Sequence, residues 1–237
     1  MYFSCNTAYG SLPVFLPTFL QTSLGFSAIN SQGLTAPPYF LSFLLTFSTP
    51  YLADKLQQRG LIVALMSLIG CVGYIILAAA TNHWVQYFGV FLAAGGVFPA
   101  ISNILPWVTN NQGSDTGRGV AVVILNLVGQ CGPLLGTNVY PTTDGPRFVK
   151  GHAVCAAFLF FNTCIALTLR TYLSWQNKRM DRKYGTLEEQ HARLALGSVD
   201  GEKKADAQHI AEAEDEKSRK EGYVATEDYG PLFRYIL

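Results

Sequence analysis

Long apolar runs alternate with short polar segments along the chain up to about residue 172. A helix needs about 20 mostly apolar residues to cross the hydrocarbon core of a membrane. Polar, charged or turn-forming residues separate the runs, as in the segments 27–33, 54–60 and 109–118. We therefore predict an all-α membrane protein with six membrane-spanning helices, at roughly 2–26, 34–52, 61–80, 85–107, 119–140 and 152–172.

The pattern changes after the sixth run, where Glu, Lys, Asp and Ala become frequent. We predict a six-helix transmembrane bundle over 1–173 and a charged, mostly disordered cytoplasmic tail over 174–237. Within the tail, 205–220 could form a solvated helix. The aromatic patch 233–237 is either a docking peptide or a loosely held end, and we expect the loosely held end.

Composition narrows the function classes. The chain has a net charge of +1 and only 14% charged residues. No basic cluster interleaved with aromatics is present, so we expect a lipid bilayer and not a nucleic acid as the partner. The five cysteines include no CxxC pair and are odd in number, which argues against a disulfide framework. We expect no cofactor and no metal.

Basic residues in the short loops predict the orientation. Alternate crossings put Lys55, Arg59 and Arg118 on the side of the basic start of the tail. The opposite side holds Arg147 and Lys150 alone. We therefore predict that both termini are cytoplasmic.

Polar residues share one face in three of the predicted spans. They are Tyr2, Asn6, Gly10, Pro13, Pro17 and Gln21 in the first span; Gly95, Pro99, Ser102, Asn103 and Pro106, flanked by Trp107, in the fourth; and Asn126, Gln130, Pro133 and Thr137 in the fifth. Prolines free backbone carbonyls that a neighbouring helix or a wet cavity must satisfy. The faces predict a cavity lined by these three spans; the alternative is that Asn and Gln only bridge helices.

The fifth span also carries a stripe of small residues, Gly129, Gly132 and Gly136, which predicts close contact with another helix. No Asp, Glu, Lys or Arg lies in the middle of any predicted span. Any charged coupling group must therefore lie elsewhere. His83 and His152 have no second ligand at metal-binding spacing, and we expect both at membrane interfaces. The protein is predicted not to be an enzyme.

The second loop, 51–60, reads YLADKLQQRG. It resembles the loop that follows the second helix of each half in major facilitator transporters. In that family the Asp caps a neighbouring helix and pairs with an Arg, which latches one conformation. The resemblance implies these roles for Asp54 and Arg59. Pro50 stands where the family has glycine, and no basic residue follows Arg59.

Further motifs resemble the anion:cation symporter family, especially its fungal allantoate permease-like members and its nicotinate and vitamin transporters. They are Asn6-Thr7-x-Tyr9, Phe15-Leu16-Pro17-Thr18, Pro37-Pro38-Tyr39, Trp107-x-x-Asn110-Asn111-x-Gly113 with Arg118, Asn126, Tyr140-Pro141-x-x-Asp144-x-Pro146-Arg147, and the closing Phe233-Arg234-Tyr235-Ile236-Leu237. The resemblance implies the C-terminal half of a twelve-helix fold in the plasma membrane. It also implies proton symport of a small organic anion or vitamin-like carboxylate.

By their position in the expected cavity, we predict substrate contacts at Asn6, Tyr9, Asn103, Trp107 and Asn126, and the resemblance implies a conformational latch at Asp54 and Arg59. These side chains offer hydrogen bonds and ring stacking, and no covalent chemistry. The first six helices of the family are absent from the chain, so we expect a fragment or truncated form whose missing N-terminal half supplies the rest of the cavity wall. The alternative is a non-transporting relic, or a partner or regulatory subunit of a full-length transporter.

Overall fold

A computed structural model of the chain describes residues 1–22, 27–141, 144, 147–189 and 233–237. Within them the chain forms α1 (Tyr2–Thr22), α2 (Ala28–Leu56), α3 (Arg59–Ala79), α4 (His83–Asn110), α5 (Asp115–Gly129), α6 (Cys131–Asn138) and α7 (Val149–Tyr184). No β-strand occurs among the described residues. The predicted all-α class is confirmed.

Polar side chains cap the starts of α2 and α5. Ser27 has extended backbone angles, and its hydroxyl accepts the backbone N–H of Asn30 at 3.3 Å. Ser114 caps α5 in the same way, through the N–H of Gly117 at 3.0 Å. The prediction that 27–33 is a loop was therefore wrong, because its first serine is a helix cap and α2 begins at Ala28.

In the described part of the chain, four helical stretches are long and apolar enough to cross a membrane: α3, α4, the α5–α6 pair and α7. The helices α1 and α2 have 21 and 29 residues. At about 1.5 Å per residue, 21 residues reach roughly 30 Å, the thickness of the hydrocarbon core. Their polar residues keep them below the apolar content of the other four. Length and composition thus support four of the six predicted spans. That α1 and α2 also cross the membrane stays a prediction.

The helix α3 packs between α4 and α7. Its contact with α4 is made backbone against backbone. A Cβ added at Gly73 would lie 2.3 Å from the backbone nitrogen of Ala93, and one added at Gly96 would lie 2.3 Å from that of Gly70. Such close approach is how helices associate where the hydrophobic effect does not drive them together.

The helix α1 packs against α5 and α6 through the predicted stripe of small residues, which is confirmed. A Cβ at Gly132 would lie 2.6 Å from the carbonyl oxygen of Phe3, and one at Gly136 would lie 2.3 Å from that of Thr7. No larger residue fits at these two positions without moving α1.

The fifth predicted span, 119–140, is broken into two helices. The helix α5 ends at Gly129, and Gln130, with φ −70° and ψ −11°, separates it from α6. Pro133 is responsible in part, because proline has no N–H to donate to the carbonyl four residues earlier. Here that carbonyl belongs to Gly129.

The helix α7 runs unbroken through the predicted domain boundary at residue 173. The division into 1–173 and 174–237 therefore stays a prediction. Most of the predicted tail, including the possible helix at 205–220, lies outside the described residues. The segment 233–237 is described, and it contacts the bundle at the end where α2 meets α3 and α4 meets α5.

Candidate functional site

Asn6 joins α1 to α5. Its side chain is buried, and its Nδ2 donates to the carbonyl oxygen of Gly129 at 3.2 Å. That carbonyl is the one that Pro133 leaves without a helical N–H partner. Asn6 thus satisfies a carbonyl freed by proline. Its contact with substrate stays a prediction. In the structure its amide nitrogen links α1 to α5.

A second carbonyl freed by proline is satisfied between α2 and α4. Pro38 leaves the carbonyl oxygen of Leu34 free, and the hydroxyl of Tyr87 donates to it at 3.0 Å. Two of the prolines inside the helices are therefore compensated by a side chain from a neighbouring helix, as membrane bundles require.

Asn103 joins α4 to α2. Its Nδ2 donates to the Thr49 hydroxyl at 3.0 Å and to the Pro99 carbonyl oxygen at 2.8 Å. The residue is fully buried, and its Oδ1 has no partner among the described residues. Asn103 therefore retains one unused acceptor inside the bundle.

Three aromatic rings from three helices meet around Phe98. Tyr9 of α1 and Tyr39 of α2 both contact Phe98 of α4 edge to face, with ring centroids 5.2 and 5.6 Å away. Tyr9 is 38% exposed, and the buried hydroxyl of Tyr39 has no partner among the described residues. We call these three residues the aromatic group.

The remaining predicted contacts lie elsewhere. Asn126 is half-buried, and its Nδ2 donates to the Val122 carbonyl oxygen in its own helix at 2.9 Å. Trp107 is only 1% exposed, and its Nε1 donates to the carbonyl oxygen of Ile236 at 2.9 Å. The structure thus brings Tyr9 to α4, Asn6 to α5 and Asn103 to α2, but it uses the single donor of Trp107 to hold the segment 233–237.

The predicted latch residues form an ion pair. Arg59, the first residue of α3, pairs through Nη2 with Oδ1 of Asp54. The Arg59 side chain is 6% exposed and that of Asp54 is 54% exposed. Nε and Nη1 of Arg59 are buried and have no partner in the described part of the chain. Asp54 is thus the anion that balances a buried cation.

The turn between the latch residues is fixed on both sides. Gln57 takes the left-handed conformation, with φ 53°, and ends α2. Arg170 of α7 donates from Nε and Nη2 to Oε1 of Gln58, at 3.0 and 2.7 Å. Because Arg170 bonds this turn to α7, the positions of Asp54 and Arg59 are coupled to α7.

A buried polar cluster escaped the sequence analysis. His152, expected at an interface, is only 5% exposed, and its Nδ1 lies 3.1 Å from the Tyr140 hydroxyl. The hydroxyls of Ser11 and Tyr74 lie 3.2 Å apart beside it, and all four residues line a cavity of about 20 Å³. His152 lies in the first turn of α7, where α1 and the segment before α7 cover it, so its burial was missed while its place at a membrane interface stays a prediction. The described residues hold no group of His, Cys, Asp or Glu that could bind a metal.

The segment 233–237 is docked, so the expectation of a loosely held end was wrong. Backbone groups of Tyr235, Ile236 and Leu237 bond to Asn177, Asn111 and Gly60 respectively. A mixed sequence of five residues gives no periodic signal, whereas the groove that receives it is assembled from three helices distant in sequence.

The chain is similar to several fungal transporters. It is 28% identical over 192 residues to MFS transporter prlL of Fungal sp. (strain NRRL 50135), which covers 79% of this chain and 39% of that protein. It is 29% identical over 198 residues to MFS-type transporter cnsO of Penicillium expansum, covering 76% and 38% respectively. It is 30% identical over 156 residues to the high-affinity nicotinic acid transporter of Saccharomyces cerevisiae, covering 66% and 29%. The chain therefore spans no more than 39% of the length of these relatives.

The apolar helices and these relatives define the class: the chain is an integral membrane protein related to small-molecule transporters. Two of these relatives are named as MFS transporters, that is, of the major facilitator superfamily, which supports the superfamily that the sequence motifs resemble. No family model matches the chain, and no solved structure matches it.

Proposed function

We propose that the chain forms the C-terminal six-helix half of a twelve-helix secondary transporter of the anion:cation symporter family. The substrate is a small organic anion or vitamin-like carboxylate, which enters across the plasma membrane with a proton. In this proposal α1 and α2 also cross the membrane, and both termini and the latch lie on the cytoplasmic side.

The observation that carries the proposal is the aromatic group. Tyr9 presents an accessible ring, and the hydroxyl of Tyr39 is a donor without a partner among the described residues. A planar ligand with a carboxylate can pack against such a ring, and its carboxylate can accept a hydrogen bond from such a hydroxyl. Nicotinic acid has this chemistry, and a protein named for its transport is among the relatives.

Charge complementarity must come from a second half. Neither α1 nor α4 carries any Asp, Glu, Lys or Arg. A bound carboxylate favours a nearby cation, and proton coupling needs a titratable group inside the membrane. We therefore assign both to a six-helix half that pairs with this one across the cavity, where it faces the aromatic group.

Asp54 and Arg59 act on the gating equilibrium in this proposal, as the family resemblance implies. The support is that Arg59 is buried and that Asp54, its charged partner among the described residues, is more than half exposed. A partner that is easily reached by water can be exchanged when the helices move, so the pair can hold one conformation and release it in another.

A chimera tests the function without assuming that the chain acts alone. In it, the chain replaces the aligned segment of the Saccharomyces nicotinic acid transporter, in cells that lack that transporter. We expect uptake of labelled nicotinate or of a related carboxylate, higher at acidic external pH and abolished by a protonophore. Uptake that ignores the protonophore would overturn the proton coupling. A chimera that reaches the cell surface and carries none of these anions would favour the non-transporting alternative.

The aromatic group has its own test in that chimera. Tyr39→Phe removes one hydrogen bond to a charged group and should raise the KM for the carboxylate about 10-fold or more. Tyr9→Ala should raise it as well, because the packing surface is lost. Tyr51→Phe is the matched control, since Tyr51 lies on α2 and is 72% exposed. An unchanged KM in both test variants would remove the aromatic group from the substrate site.

A further inference from the structure

The segment 233–237 lies in a groove whose polar side chains contact its backbone. Asn111, the residue after α4, accepts the N–H of Ile236 at 2.8 Å and donates to its carbonyl oxygen at 3.2 Å. Asn177 of α7 treats Tyr235 in the same way, at 2.9 and 2.8 Å. An asparagine amide offers one acceptor and two donors, so each can satisfy both backbone groups of a residue. Asn177 and Asn111 thus each bond both the N–H and the carbonyl oxygen of one residue, Tyr235 and Ile236 respectively.

Two more contacts extend the row to the start of α3. The indole Nε1 of Trp107 donates to the carbonyl oxygen of Ile236 at 2.9 Å, and the N–H of Gly60 donates to a backbone oxygen of Leu237 at 3.0 Å. The Trp107 ring also fills the space beside Gly60, where an added Cβ would lie 2.6 Å from a ring carbon. The docked segment therefore touches the residue that follows Arg59.

Side chains add sequence preference to these backbone contacts. Arg234 donates from Nε to Oδ1 of Asp181 at 2.7 Å and from Nη2 to the carbonyl oxygen of Gly185 at 3.0 Å. Its side chain is only 11% exposed. Tyr235 and Leu237 pack against the buried core. The groove thus matches an arginine, with an aromatic residue one position later and an aliphatic residue three positions later.

We propose that this groove, formed by α3, α4 and α7, is a peptide-recognition site whose occupant is the segment 233–237 of the same chain. Its occupation holds the first turn of α3 and so keeps Arg59 against Asp54. The site is separate from the aromatic group, and neither its recognition chemistry nor its test depends on transport.

Peptide binding in trans tests the recognition. An attached segment competes at an effective concentration of about millimolar, so the groove must first be emptied by deleting 233–237. The deleted chain, in lipid nanodiscs, is titrated with the peptide FRYIL bearing an N-terminal fluorophore, and anisotropy is read. We expect saturable binding, and none by the reversed peptide LIYRF. Each of Asn111→Ala and Asn177→Ala should weaken binding about 10-fold, because each removes two hydrogen bonds. Asn110→Ala, at an exposed neighbour, should leave it unchanged.

Hydrogen exchange on the intact chain gives an independent reading if the deleted chain does not fold. We expect the amides of Tyr235 and Ile236 to exchange at least about 10-fold more slowly than in the free peptide. The double variant N111A/N177A should lose that protection, and the amide of Gly60 should then exchange faster. Equal binding of the two peptides, or free-peptide exchange rates at Tyr235 and Ile236 in the intact chain, would overturn the proposal. Unchanged exchange at Gly60 in the double variant would overturn the link to α3.

Discussion

The hydrogen bond from Asn6 to Gly129 should matter only because Pro133 is present. Asn6→Ala leaves the Gly129 carbonyl buried without a donor, since proline supplies none. An orphaned buried acceptor costs about 1–3 kcal/mol, and hydrogen bonds measured within membrane bundles average roughly 0.6 kcal/mol. The bond is 3.2 Å long, toward the weak end of the range. We expect a loss of about 1 kcal/mol in the free energy of unfolding.

A second substitution separates this loss from lost packing. Pro133→Ala restores an N–H four residues after Gly129, which can take over the carbonyl. In that background Asn6→Ala should cost much less, which gives a coupling energy of about 0.5–1 kcal/mol in a double-mutant cycle. Any packing loss at Asn6 appears in both backgrounds and cancels. Asn126→Ala is the control, because the Asn126 amide bonds within its own helix.

The four chains of the cycle are the unsubstituted chain, the two single variants and the double variant. Their reversible unfolding is measured in mixed micelles by denaturant titration followed by circular dichroism. A coupling below about 0.3 kcal/mol would refute the reasoning, since that is the additivity expected of independent sites. It would mean that the Gly129 carbonyl finds another partner when Asn6 is absent.

Two further perturbations follow from the packing and the latch. Asp54→Asn should lower the free energy of unfolding by about 1–2 kcal/mol, less than the full cost of a broken buried pair because Asp54 is half-exposed. Asp115→Asn, in an exposed pair, should change it by less than about 0.5 kcal/mol in the same titration. Gly136→Val should destabilise the bundle by more than about 2 kcal/mol, since a Cβ there would lie 2.3 Å from a carbonyl oxygen of α1. Gly119→Ala, with open space around its Cβ, should be neutral or stabilising in thermal unfolding, and a loss there comparable to that at Gly136 would contradict the packing argument.

The sequence predicted those features that depend on local pattern. Four spans follow from apolar runs, and the glycine stripe at 129, 132 and 136 follows from helical periodicity. The resemblance of the loop 51–60 to a known motif implied a pairing of Asp54 with Arg59, and the two residues form an ion pair. The burial of His152 could not be read in this way, because the residues that cover it come from α1 and from the segment before α7.

The asparagines show why site prediction is harder in a proline-rich bundle than the prediction of helices. In a membrane helix an Asn can line a polar cavity, or it can satisfy a carbonyl freed by proline. Both roles produce the same sequence pattern, because both need a polar residue on an inward face. Only the identity of the partner separates them. Asn6 donates to Gly129 and Asn103 to Thr49, so their donors already serve the contacts between helices. The hydroxyl of Tyr39 and the Oδ1 of Asn103 have no such partner among the described residues. In the proposed transporter, a ligand entering between α1, α2 and α4 would therefore be recognised by the groups that the scaffold leaves unsatisfied, and not by the amide nitrogens of Asn6 and Asn103.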